Sequence, residues 1–546
     1  MEIVNILMRI IPLIFKAILW TYIWIPYLAV GIISMIMPHV SEDNYFAAGL
    51  AMVIMVGSII LWLVLLVQRI VRAVTKNPEF SFFKRNKEKK SKTALNPKAD
   101  KKLVSNPGPE GGYPVGKQGS HWVKLLDNEI FHCFIVGGTG TGKSSTQVIP
   151  LLLCSKIPSV VVDIKGELAE KTAFARKGSL IFNPASPDSC GYDPFEFVTE
   201  DNYILDIKTI ADSIIPVSPG AKNPFWEEAA QSYLAGCLLF CWLDHMDFIE
   251  SMRLIQKTNA QAMVSAALST EDEDIAVFLG QFDGMADDTL SGVQATVSSK
   301  IMVFASDPDL RRVLSRKRMA GHEMMSPSML IGDNPRSIYL QLPEARLEVY
   351  RHATQLIIGQ FCKYFEKLPD APNHQPRANF VLDEFFRLGK LSSIQAAFAT
   401  LRSKGVRLFA ITQSLAQLEV IYEKAGARAL ADNFTVKVLL GATEPESQKY
   451  FSDLLGTYDK LVRSRSSNQQ MTQIGGSTGV TISEQEKRLI RPEELGRLGN
   501  QCILFTPTGW TRVDKQSYYA NKELLAIAQR AQAAPQQTTL NGQTIS

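Results

Sequence analysis

Two kinds of hydrophobic pattern divide this chain of 546 residues. Residues 18–37 (ILWTYIWIPYLAVGIISMIM) run without a charge, and a second apolar run covers 45–67. A twenty-residue helix extends about 30 Å, the thickness of a bilayer core. Runs of this length that are apolar on every side predict transmembrane helices rather than buried core helices. Trp20, Tyr22, Trp24 and Tyr45 fall where interfacial aromatic anchors belong. The segment between the runs carries Glu42 and Asp43 and no Lys or Arg, whereas Arg9 and Lys16 precede the first run and Arg69, Arg72 and Lys76 follow the second. That asymmetry predicts both termini in the cytoplasm. Residues 1–75 therefore read as a membrane anchor. The basic, Pro/Gly-rich stretch 76–116 reads as a flexible linker whose lysines lie against anionic lipid.

From residue 117 the pattern changes to short β-branched and apolar runs at 131–136, 159–163, 180–182, 337–342, 378–382, 407–412, 435–440 and 502–507. Helical segments alternate with them, which predicts an α/β fold with a parallel sheet covered on both faces. Between about 202 and 318 the strand-like runs stop and helical periodicity takes over. The expected organisation is a nucleotide-binding domain in two parts, 117–200 and 321–528, with an all-α domain inserted at 201–320. The polar stretch 463–483 is expected to be a long loop, able to act as a lid. The Gln/Ala/Thr-rich tail 529–546 is expected to be disordered.

Composition adds little. The net charge is +4, so no global basicity announces a nucleic-acid binder. The seven cysteines are scattered without zinc-ligand spacing, and Cys237 and Cys241 stand one helical turn apart as packing residues. The histidines form no triad. Trp226 reads as a packing residue. Arg311, Arg312, Arg316, Lys317 and Arg318 form a basic run that either lines a channel and meets phosphates or is a solvated face.

The chemistry centres on FHCFIVGGTGTGKSS, residues 131–145. An apolar strand ends in a glycine-rich turn: Gly137, Gly138, Thr139, Gly140, Thr141 and Gly142, then Lys143, Ser144 and Ser145. The glycines let successive N–H groups face a phosphate. Lys143 supplies charge to the β/γ-phosphates, Ser144 a hydroxyl to Mg²⁺, and the helix start its dipole. This is a site for a nucleotide such as ATP. The second strand of interest, NFVLDE, ends in Asp383, suited to the Mg²⁺ water shell, and Glu384, suited to polarising an attacking water. RLFAITQ ends in Gln413, placed to contact the γ-phosphate or that water. Pro150 limits or kinks the helix after the phosphate loop. Arg402 is the first candidate for a cation that a neighbouring subunit inserts into the site. Asp163, Lys165, Gly166 and Glu167 (in DIKGE) follow the 159–163 strand, either at the phosphate-bearing edge of the sheet or as a plain surface turn.

Taken together, GGTGTGKSS, VVVDIKGEL, NPFWEEAAQSYL, FASDPDLRRVLS, FVLDEFFRLGKL, ITQSLAQLEVIY and KRLIRPEEL resemble, in order, the motifs of the type IV secretion coupling proteins, the ATPases of conjugative DNA transfer and effector export. The resemblance implies a RecA-like P-loop NTPase domain with an inserted all-α domain, preceded by two transmembrane helices in the bacterial inner membrane. It implies a homo-hexamer that works with other secretion components and with a relaxase on single-stranded DNA, effector proteins, or both. It carries Lys143, Ser144, Asp383, Glu384 and Gln413 onto the family's nucleotide site and Arg402 onto its trans-acting arginine. A docking receptor whose nucleotide site controls assembly is the alternative. A channel-assembly ATPase and a segregation-type DNA pump fit the DIKGE turn poorly, and no LSGGQ-like signature points to an ABC transporter.

Overall fold

The computed structural model describes residues 103–105, 108–217, 224–467 and 478–533, with short pieces at 49, 52–53, 56–65, 67–68, 539–540 and 543–544. The chain divides into two units, 1–95 and 96–546. In the first, the described pieces are helical and most of their apolar side chains are exposed, among them Met52, Val53, Ile59, Ile60, Leu61 and Val67. The predicted span 18–37 lies outside the described residues, and that at 45–67 is described only in part. Among the described residues no helix is long and apolar enough to cross a membrane.

The second unit is built on one sheet. Its strands in chain order are β1 (Val104–Ser105), β2 (Gly112–Gln118), β3 (His121–Leu126), β4 (Cys133–Gly137), β5 (Ser159–Asp163), β6 (Leu180–Phe182), β7 (Ile338–Gln341), β8 (Ala378–Leu382), β9 (Val406–Thr412) and β10 (Val436–Gly441). β11 (Thr457–Ser467) and β12 (Thr478–Arg488) form a separate ribbon, and β13 (Gln501–Thr506) and β14 (Gly509–Asp514) return to the sheet. The spatial order is β1-β3-β2-β14-β13-β10-β4-β9-β8-β5-β7-β6. The run from β10 to β6 is parallel throughout. β4, β5, β8, β9 and β10 are buried along their whole length, which is why they are continuous apolar runs rather than alternating ones.

Helices cover both faces. On one lie α1 (Ile149–Cys154) and α2 (Glu167–Thr172), joined by the helix at Lys522–Ala533. Between β6 and β7 the chain leaves the sheet for α3 (Tyr203–Ile214), α4 (Phe225–Leu243), α5 (Phe248–Lys257), α6 (Ala260–Leu268), α7 (Glu273–Leu279), α8 (Asp287–Ser306) and α9 (Pro308–Val313). Side-chain caps start several of these: Asp247 for α5, Asn259 for α6, Asp272 for α7 and Asp307 for α9. α10 (Leu347–Lys367), α11 (Ser392–Ser403), α12 (Leu415–Asn433) and α13 (Pro445–Leu455) follow, and α14 spans Lys522–Ala533. The period of two along each strand divides the core. Phe134 and Val136 of β4 join the cluster shared with the insertion, α10, α11 and α12, while Cys133 and Ile135 join the cluster under α1 and α14. All seven cysteines are buried and free.

Three expectations change. The linker predicted for 76–116 gives way to sheet before its end: β1 pairs with β3, and β2 starts at Gly112. The sequence GYPVGKQ hid β2 because Pro and two Gly depress strand propensity. Of the loop predicted at 463–483, residues 463–467 and 478–483 belong to the antiparallel ribbon β11–β12, whose backbone groups satisfy each other from Thr457↔Arg488 to Ser467↔Thr478; residues 468–477 between them lie outside the described residues. A polar ribbon pairing with itself needs no apolar alternation, so its pattern read as loop. The tail predicted from 529 begins as the last turn of α14.

Candidate nucleotide site

The phosphate loop leaves β4 at the carboxyl edge of the parallel sheet. Gly142 stands at φ +88°, a conformation L side chains avoid. At Gly137 a Cβ would come within 2.5 Å of Thr141 Oγ1, so only glycine lets the loop close there. Thr141 Oγ1 ties the loop by donating to Gly138 O at 2.8 Å. Ser144–Val148 form a π-turn, closed by the Ile149 N–H donating to Ser144 O, before α1 begins. Pro150 explains this: having no N–H, it leaves the Thr146 carbonyl without its i+4 donor, and the wider turn absorbs the mismatch. The helix runs on past Pro150 to Cys154 rather than ending there.

Lys143 is folded back on its own loop. Its Nζ donates to Gly137 O at 2.7 Å and to Gly138 O at 3.2 Å. Burial lowers its pKa, and the carboxylates of Asp383 and Glu384 oppose that shift. Both acids arrive on β8, two strands away, where the apolar strand ends in a turn. Asp383 is buried and its carboxyl is pushed up to about 7, first by burial, then by the charges of Glu384 and Asp163. Glu384 sits in the left-handed region at φ 48°, a strained choice for a non-glycine residue. Gln413 follows the last residue of β9, which lies between β4 and β8, and its Oε1 accepts a long hydrogen bond of 3.4 Å from Thr139 Oγ1. The structure thus brings Lys143, Ser144, Asp383, Glu384 and Gln413 to one edge.

Arg402 is not among them. It closes α11, just before β9, and lines a 740 Å³ cavity with Phe131, Ala399, Ser403, Val436 and Thr508. β9 is seven residues long, so Arg402 lies about 20 Å from Gln413 at the opposite edge of the sheet. It cannot serve the site of its own chain.

The DIKGE turn does belong to the site, although its spacing alone left that open. Asp163 is buried. Its Oδ2 accepts the Ala169 N–H at 2.8 Å, holding the start of α2, while its Oδ1 is buried without a partner. Burial raises its pKa, and the N–H groups of Ala169, Leu168 and Gly166 pull it back. Lys165 Nζ lies 3.2 Å from Glu384 Oε1. Arg387 Nη1 lies 3.2 Å from Glu384 Oε2 and 2.6 Å from Glu344 Oε1. These partners were missed by sequence reasoning; only the i+3 spacing of Arg387 from Glu384 signalled one of them. Equally unforeseen is a strap behind the loop: Lys515 Nζ donates to Thr141 O and the Tyr518 N–H to Ser145 O, both at 3.0 Å.

This ordered set of strand ends coincides with a family model. Residues 82–541 match the model described as type IV secretory system conjugative DNA transfer. The chain belongs to that family. Its relatives among curated proteins include protein VirD4 of Agrobacterium fabrum, 26% identical over 415 residues that cover 73% of this chain and 60% of VirD4. The type IV secretion system-coupling protein VirD4 of Bartonella henselae is 25% identical over 438 residues, 75% of this chain and 66% of that protein. The family member described here thus spans less than two thirds of the length of either. Its fold is that of the bacterial conjugative coupling protein TrwB, with a TM-score of 0.60 at 19% identity over 76% of this chain and 90% of that one. TrwB has also been solved with ADP and Mg²⁺, a structure with a TM-score of 0.60 at 18% identity, covering 77% of this chain and 93% of that one. The α/β domain of this family member is therefore RecA-like.

Proposed function

We propose that this chain is a coupling ATPase of a type IV secretion system, anchored in the bacterial inner membrane. It recruits relaxase-bound single-stranded DNA, effector proteins, or both, and uses ATP hydrolysis to deliver them to the secretion channel. The observation that carries this reading is the convergence of Lys143, Asp383, Glu384 and Gln413 on one sheet edge, since a nucleotide switch needs no water-activating carboxylate beside its phosphate site.

The residues fit Mg²⁺. Among the described residues no group of three or more His, Cys, Asp or Glu forms a metal cage. Mg²⁺ does not ask for one, being held by one or two carboxylates, water and substrate phosphates. Asp383 and the Ser144 hydroxyl would hold the ion, and the unpartnered Asp163 Oδ1 would offer a buried acceptor to its water shell. When bound, the ion neutralises charge on the phosphates. The chain's own groups do the rest. Lys143 exchanges the Gly137 and Gly138 carbonyls for phosphate oxygens. Glu384 takes the proton of the attacking water, and Gln413 orients that water. Arg402, on the far edge, enters the site of the next subunit in a ring, for which we take the homo-hexamer. The exposed apolar surface of the helical pieces within 49–68 supports the second span of a membrane anchor.

The test is ATP turnover by the full chain in detergent, with and without single-stranded DNA, against Glu384→Gln. The expected result is turnover that DNA stimulates and that falls by about 100-fold or more in Glu384→Gln, with nucleotide binding retained. Absence of turnover in a verified oligomer would overturn the motor and leave a docking receptor.

A further inference from the structure

The strap behind the phosphate loop holds an aromatic ring in the open. After β14 the chain runs past the loop, where Lys515 Nζ donates to Thr141 O and the Tyr518 N–H to Ser145 O, both at 3.0 Å. It then closes on itself. The Ala520 and Asn521 N–H groups both donate to Ser517 O, at 3.1 and 2.9 Å, and Asn521 Nδ2 donates to Gln516 Oε1 at 2.8 Å. Tyr518 is half-buried against the cluster under α1 and α14. Its ring meets that of Tyr519 edge-to-face, with the centroids 5.4 Å apart. Tyr519 itself is 61% exposed. A large ring is thus fixed beside solvent, one residue beyond a direct hydrogen bond to the segment that binds phosphate.

Topology decides which end of a nucleotide this ring meets. In the sheet order β14-β13-β10-β4-β9-β8, the phosphate loop follows β4. Gln413 and Glu384 follow β9 and β8, on one side of β4, and mark the end assigned to the γ-phosphate. The strap comes from β14, on the other side. A phosphate chain laid on the loop with its γ end toward β9 points its α end, and the nucleoside bonded to it, toward the strap. The donors of the loop satisfy phosphate oxygens and offer nothing to a flat base. An aromatic face does.

We propose that Tyr519 is the stacking platform for the base of the nucleotide held by the phosphate loop. The inference rests on the nucleotide reading given above. Stacking uses the π-face, which every base has, so the contact adds affinity without reading the base edge and admits adenine and guanine alike. Because Lys515 and Tyr518 tie the strap to Thr141 and Ser145, the ring and the phosphate donors are positioned as one unit.

The test is calorimetric binding of Mg-ATP and of Mg-tripolyphosphate, which has the phosphates and no nucleoside, to the full chain in detergent. Every sample carries Glu384→Gln, so ATP is not consumed and the result does not depend on turnover. Tyr519→Ala is expected to weaken ATP binding by about 5- to 100-fold and to leave tripolyphosphate binding unchanged. GTP should lose affinity by the same factor as ATP. Tyr519→Phe should keep the affinity for ATP. Tyr519→Trp should keep it too, and its added fluorescence should be quenched by ATP and not by tripolyphosphate. Undiminished ATP affinity in Tyr519→Ala would overturn the platform. So would equal losses for ATP and tripolyphosphate, which would make Tyr519 a support of the loop. Failure of the Tyr519-intact chain to bind either ligand would refute the nucleotide site itself, and the platform with it.

Discussion

Lys165 Nζ and Arg387 Nη1 hold the two oxygens of the Glu384 carboxylate from opposite sides, each at 3.2 Å. The pairing fixes a side chain whose backbone is already strained at φ 48°. Both cations come from motifs next to the strand ends, so the Glu384 carboxylate is held in place by the protein itself. Lys165→Met is expected to reduce kcat for ATP by about 10- to 100-fold with KM little changed, because a released Glu384 samples unproductive positions. Steady-state kinetics reads the split. An unchanged kcat would assign the pair to packing alone.

Asp383 offers a proton count. With its carboxyl near pH 7, about half the sites carry a proton at that pH. A divalent cation beside it drives that proton off. Binding of Mg²⁺ and ATP at pH 7 is therefore expected to release about half a proton per site, measured by calorimetry in buffers of different ionisation enthalpy. Glu384→Gln removes a charge that raises Asp383 and should reduce the release. Equal heats in all buffers would contradict the assignment.

The same carboxyl opposes His132 in the stability of the fold. His132 is buried, with Nδ1 accepting the Leu408 N–H at 3.1 Å and Nε2 donating to Phe398 O at 3.0 Å. Burial, with Arg402 adding to it, holds its pKa down to about 4. Between pH 4 and 6.5 the unfolded chain binds the proton that folded His132 refuses, so stability is lost as pH falls. Asp383 is the reverse case. Between about 4 and 7 the folded carboxyl keeps a proton the unfolded one has lost, so stability is lost as pH rises. Each contribution is on the order of 3 kcal/mol and they offset. Compared with the parent, Asp383→Asn should lose stability more steeply on acidification from 6.5 to 4, and His132→Gln more steeply as pH rises from 4 to 7. Denaturant unfolding at several pH values decides it; parallel curves would refute the pairing.

Arg402 lies across the sheet from Gln413, so the role proposed for it in turnover requires a subunit boundary. Arg402→Ala is expected to bind nucleotide normally and to turn it over at least about 100-fold more slowly. Lys143→Ala should fail at binding. Mixed rings of the two inactive variants should recover part of the activity, because some interfaces then pair an intact loop with an intact arginine. No recovery from co-purified mixed oligomers would exclude the trans role.

The parallel strands were legible because burial on both faces leaves short, wholly apolar runs such as CFIVG and SVVVD. The phosphate loop was legible because its glycines are required by geometry at fixed spacing. What escaped were partnerships across long stretches of chain. Nothing local says that Lys165 meets Glu384, and nothing in RRVLSRKR says that Arg316 finds Asp193 and Glu196. The ribbon β11–β12 escaped for another reason: its strands carry no apolar alternation to announce them.

The strap behind the phosphate loop has a consequence in time. Thr141 waits for the ammonium of a residue synthesised 374 positions later, and Ser145 for the backbone of Tyr518 just beyond it. A ribosome making this chain releases the glycine-rich loop well before its support. The growing chain therefore carries the loop without this support until Tyr518 has emerged.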